Sequence, residues 1–157
     1  DGDAVVYCGG INMSLNQPAA DAGSMSSETL DHYEEGTFTA TLTAATPPTT
    51  PPTTTGSYTK IGRLVHFIFE FMGMDTRGGS GNIQITGLPF TSDGNHTITP
   101  PLLHAFDYDN AEEKTSRVND SSTTIDIMEN ATGAVWYQMA ITAGSTRHLH
   151  LSGCYMT

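Results

Sequence analysis

From Thr37 onward the chain alternates. Phe38, Ala40 and Leu42 stand between Thr37, Thr39, Thr41 and Thr43, giving one apolar face and one hydroxyl-bearing face, the period-two mark of a half-buried strand. A second strand is predicted over Tyr58 to Lys60, a bend at Ile61-Gly62, and a long strand from Leu64 to Met72. In that long strand Val65, Phe67, Phe69 and Phe71 form a core face, and Leu64, His66, Ile68, Glu70 and Met72 form the other. Further strands are expected over Asn82 to Thr86, Leu102 to Asp107, Thr123 to Met128, Ala134 to Thr142 and Arg147 to Tyr155. In the segment from Ala134, alternation groups Val135, Tyr137, Met139 and Ile141 opposite Trp136 and Gln138. Turn residues separate the strands, and no stretch of ten residues carries a helical stripe. Roughly eight strands spaced this way predict an all-β chain, an antiparallel β-sandwich of jelly-roll type.

Two segments break the alternation. Residues 46–56 hold four prolines, which remove ladder donors and favour polyproline II, so an extended surface loop is expected there. Residues 1–33 have one short apolar run, Val5 to Cys8, and read as an extended N-terminal arm without a core of its own. Ser27 to Glu35 fit one helical turn or a tight bend ended by Gly36. The division is therefore an arm, 1–33, and a head, 34–157.

Charge narrows the partners. The 157 residues carry 17 acidic and 6 basic side chains, a net −11, which speaks against phosphate-backbone binding to nucleic acid and against an anionic membrane surface. No run approaches the roughly 18 apolar residues of a membrane span, so no membrane insertion is expected. The first residue is Asp1, which suggests an excised or processed piece of a longer chain. Cys8 and Cys154 leave two readings open, one disulfide or two free thiols. There is no Gly-x-Ser-x-Gly elbow and no phosphate loop, so no catalytic residues are assigned and no enzyme is expected.

The run Glu28-Thr29-Leu30-Asp31-His32-Tyr33-Glu34-Glu35-Gly36-Thr37-Phe38-Thr39 resembles a sequence found in many bacteriophage tail-fibre and tail-spike-like proteins. Tyr58-Thr59-Lys60-Ile61-Gly62-Arg63-Leu64-Val65 is similar to that family's strand pair. So are Gly79 to Phe90 and the ending Ser152-Gly153-Cys154-Tyr155-Met156-Thr157 to its later motifs, in the same order over about residues 27–157. His32 and Ala40 depart from the usual Asp and Pro. The resemblance implies a distal fibre domain of the virion, a homotrimer joined to other tail proteins, that attaches to a bacterial cell-surface glycan or outer-membrane component. A structural fibre cap, baseplate or capsid decoration protein is the alternative.

Three sets of residues then carry candidate roles. Asp107, Tyr108 and Asp109 place carboxylates beside a ring, a pattern suited to receptor sugars, with a merely solvated loop as the plain alternative. Trp136, Leu64, Ile68 and Met72 lie on outward faces that a trimer interface would cover. His148 and His150 share one side of their strand, and three chains about an axis would bring six imidazoles together around a transition metal. The plain reading is a solvated pair, and no other cofactor is expected.

Overall fold

The computed structural model describes residues 32–106, 113–130 and 135–157, together with two short strands, β1 (Ile11–Asn12) and β2 (Thr29–Leu30), which pair antiparallel. The remaining strands are β3 (Tyr33–Thr46), β4 (Thr53–Ile61), β5 (Leu64–Met74), β6 (Ser80–Thr86), β7 (His96–Ile98), β8 (Leu102–His104), β9 (Glu113–Val118), β10 (Thr124–Asn130), β11 (Tyr137–Gln138) and β12 (Arg147–Met156). Every pairing is antiparallel and the described residues contain no helix. The chain is all-β.

Hydrogen bonds join these ten strands into one curled sheet in the order β7-β9-β10-β6-β3-β4-β5-β12-β8, with β11 alongside β10. The curl follows from the alternation. Phe38, Ala40 and Leu42 of β3, Val65, Phe67, Phe69 and Phe71 of β5, Ile83 and Ile85 of β6, Ile125 and Ile127 of β10, and Leu149, Leu151 and Tyr155 of β12 all point to the concave side and are buried there. A sheet with one such face lowers its free energy by wrapping it inward, at about 25 cal/mol per Å² of apolar surface removed from water. The right-handed twist of strands supplies the bend. At the closing edge, Ile98 of β7 packs on Gly153 of β12, where a Cβ would come within 2.8 Å of it, and the Thr99 hydroxyl donates to the Ser152 carbonyl.

The β3–β4 pair shows how a glycine can sit in the middle of a strand. Phe38 stands opposite Gly56, and Tyr58 opposite Gly36. Each ring lies over the glycine across from it, so that an added Cβ would meet the Phe38 ring at 2.5 Å or the Tyr58 ring at 2.7 Å. From Tyr33 to Gly36 this corrects the expected helical turn or tight bend; Ser27, Glu28 and Asp31 lie outside the described residues. Tyr33 to Thr37 continue β3, because their ladder to Ser57–Ile61 and the Tyr58 hydroxyl bond to Glu34 outweigh the local turn signal of Gly36. Likewise β4 begins at Thr53, five residues earlier than expected, since Thr53, Thr54 and Thr55 suit a pleated surface and only Pro47 to Pro52 stay outside the ladder.

Three further differences have physical causes. The strand expected to reach Asp107 stops at His104, where Ala105 takes a left-handed φ of 62° and turns Phe106 into the core. Among the described residues 135–142 only Tyr137–Gln138 is a strand. Met139 and Ile141 are buried, but Val135 and Tyr137 are exposed, because Tyr137 pairs with Glu129 where the inward face has become the Lys114–Glu129 ion pair, 2.6 Å long, instead of apolar core. Strands β1, β2, β7 and β9 have no counterpart among the expected ones; β9 turns Lys114 and Ser116 inward and so lacks an apolar stripe.

Candidate functional site

The convex face of the β7-β9-β10-β6-β3 limb carries a row of polar side chains, one from each strand. Thr97 stands beside Arg117, Arg117 beside Asp126, Asp126 beside Gln84, and Gln84 beside Thr43. A tight β9–β10 turn sets this register: Asn119 N–H donates to the Thr124 carbonyl at 3.0 Å, its side-chain amide donates to the Thr124 hydroxyl at 3.0 Å, and Ser121 takes a φ of 50°. Asp126 is almost fully enclosed, and its carboxylate accepts from Arg117 Nη2 at 3.2 Å and Gln84 Nε2 at 3.0 Å. A buried carboxylate must be satisfied in this way. The consequence is a guanidinium and an amide fixed in place, with Arg117 steadied further by Asn119 Oδ1 at 3.2 Å.

A second row brings the aromatic. Thr115 stands opposite Met128, and Met128 opposite Gln138 of β11. Just beyond β11, Met139 N–H donates to the Ile127 carbonyl at 2.8 Å and the Met139 carbonyl accepts from Ile83 N–H at 2.9 Å, which pins the segment down. Trp136, two residues before Gln138, therefore lies on the same convex face, 43% exposed. Thr97, Thr115, Arg117, Met128 and Trp136 line an open cleft of about 350 Å³. Thr43, Ala44, Ala45, Asn82, Gln84 and Gln138 line a second recess of about 280 Å³, reached along the same face through Gln84 and Gln138. Asn82 Nδ2 donates to Gln138 Oε1 at 2.9 Å.

A third recess, about 260 Å³, lies between Thr49, Thr50, Asp75 and Arg77 and contains no aromatic ring. There Arg77 hydrogen-bonds Asp75 through side chain and backbone and holds its carboxyl down at about 2.

The anticipated residues separate into distinct places. Leu64, Ile68 and Met72 do share the exposed convex face of β5, next to Ile61 of β4 and on the same face as Leu102 of β8. Trp136 is not part of that patch; it belongs to the cleft on the β10 side. His148 and His150 lie on the convex face of β12 while Leu149 and Leu151 are buried. His148 faces His104 of β8, and His150 faces Leu102 on one side and Glu70 on the other. Cys154 is exposed on this face opposite His66. Asp107, Tyr108, Asp109 and Cys8 lie outside the described residues. Among the described residues no three His, Cys, Asp or Glu side chains converge on a point, and no helix is long and apolar enough to cross a membrane.

Sequence reasoning missed Arg117, Thr97, Thr115, Asn82 and Gln84. The available signal was the alternation Lys114, Ser116, Val118 against Thr115 and Arg117, obscured because two of the three inward residues are polar. The chain matches no protein-family model, and no curated protein matches it.

Proposed function

We propose that this chain is a non-catalytic attachment domain of a virion tail fibre that holds a bacterial surface glycan in the Trp136 cleft. The observation that carries the reading is the company Trp136 keeps. A half-exposed indole beside two threonine hydroxyls and a fixed guanidinium offers a sugar both an apolar plate for its C–H face and directional partners for its hydroxyls. The adjoining amides of Asn82, Gln84 and Gln138 extend the polar surface to a second sugar unit. Because Arg117 is already paired with Asp126, the cleft suits a neutral, hydroxyl-rich glycan better than an acidic one, and the net charge of −11 acts in the same direction. The tail-fibre resemblance of residues 27–157 supports the virion setting.

The head assembles as a homotrimer, the two limbs of the curled sheet serving as the layers of a sandwich-like body. The exposed Leu64, Ile68 and Met72 favour self-association. Three shallow clefts then act together, so that weak single-site binding becomes firm attachment. An array of bacterial surface polysaccharides probed with the full chain tests the reading. Retained neutral glycans, with binding weakened about ten-fold in Trp136→Ala, a loss of roughly 1.4 kcal/mol, support it. Equal binding by the variant would remove the cleft from the account, and no glycan retained at all would leave the fibre-cap role as the better reading.

A further inference from the structure

We infer that the convex face holds a site for one soft monovalent cation of the Cu(I) class, built within a single chain from His104, His148 and Met72. The three side chains come from three adjacent strands. His104 of β8 and His148 of β12 are directly opposite in the ladder, and their rings meet edge to face with centroids 5.1 Å apart. On the other side of His148 the β12–β5 register slips: Arg147 faces Met74 and Leu149 faces Phe71, so Met72 and Gly73 together oppose His148. Gly73 takes a φ of +63°, the left-handed conformation that a bulge of this kind requires. The bulge delivers Met72 to the histidine, with its Sδ 3.2 Å from His148 Nδ1.

That contact is of hydrogen-bond length as it stands, and a shared ion can span the same separation. Bonds of about 2.0–2.1 Å to nitrogen and about 2.3 Å to sulfur, meeting at an angle between a right angle and the tetrahedral one, span roughly 3.1–3.6 Å. Two imidazoles and a thioether form a soft donor set without a carboxylate, which selects Cu(I) over hard divalent ions. His150 is not part of it, for it faces Leu102 and Glu70. The site thus differs from an axial site made by His148 and His150 of several chains: its three side chains come from one chain, and none of them lines the glycan cleft.

Silver(I), a redox-inert ion of the same class, is the probe, titrated calorimetrically into the full chain carrying Cys8→Ser and Cys154→Ser so that thiols do not compete. One ion per chain is expected, with the Met72 methyl resonance shifted on binding. His104→Asn, His148→Asn and Met72→Leu should each weaken binding at least ten-fold, and His150→Asn less than two-fold. Met72 is 65% exposed, so Met72→Leu leaves the fold intact and reads the thioether alone. Absence of saturable binding, or a loss in His150→Asn with none in Met72→Leu, would overturn the inference.

Discussion

Tyr155 shows how much of the fold one side chain can hold. Its ring is buried against Phe67, centroids 6.0 Å apart, while its hydroxyl donates to the Phe90 carbonyl at 3.0 Å and accepts from the Phe90 N–H at 3.2 Å, tying the loop after β6 to the last strand. Burial pushes its ionisation up to about 12, the Phe90 N–H opposing only part of that rise. The sign follows directly. Between its ordinary value of about 10 and about 12 the unfolded chain releases this proton and the folded chain keeps it, so the contribution is complete below about pH 10 and is lost as pH rises to about 12. Tyr155→Phe should cost about 1–3 kcal/mol in urea unfolding at neutral pH, since both Phe90 groups lose their partner. The variant's stability should also fall less steeply than the parent's over that alkaline window. A variant as stable as the parent would show that the two hydrogen bonds contribute nothing net.

At the scale of the strand, alternation decides which substitutions matter. Phe67 is fully buried and packs on Phe38 at 6.4 Å, Phe69 at 5.9 Å and Tyr155. Phe67→Ala should destabilise by about 3–5 kcal/mol, and Thr55→Ser on the exposed face of β4 by no more than about 0.5, measured by urea unfolding. The same rule explains what could be read in advance. Where one face is apolar over a long run, as from Phe38 in β3, in β5 and from Leu149 in β12, strand and orientation are both legible, including the side of His148 and His150. Where an inward position is filled by a polar group satisfied across the ladder, as by Lys114 with Glu129, the stripe vanishes and β9 went unseen. Strands of three residues such as β7 are too short to show a period. Trp136 is exposed, as expected, but so are Val135 and Tyr137, which alternation places inward, and its neighbours Arg117 and Thr97 come from other strands that only the register brings together. The bulge at Gly73 is equally silent in sequence, because a glycine near a strand end reads as a turn.

At the scale of the whole molecule, the chain presents two unlike convex surfaces. One, on β5 and its neighbours, is apolar and histidine-bearing, with Leu64, Ile68 and Met72 between 42% and 65% exposed. The other, on β9, β10 and β6, is a polar lattice around one indole. In the proposed function the first surface serves self-association and the second meets the receptor. Sedimentation of the full chain should therefore find trimers at micromolar concentration, and Leu64→Lys with Ile68→Lys should yield folded monomers; monomers in the parent would leave the apolar face unexplained. The central claim concerns the second surface, and the chain carries its own reporter, since Trp136 is the sole tryptophan among 157 residues. Titrating a neutral bacterial surface polysaccharide while following tryptophan emission is the most direct measurement. A saturable blue shift is expected as a sugar ring displaces water from the indole, and saturable polysaccharide binding with unchanged emission would contradict the Trp136 site.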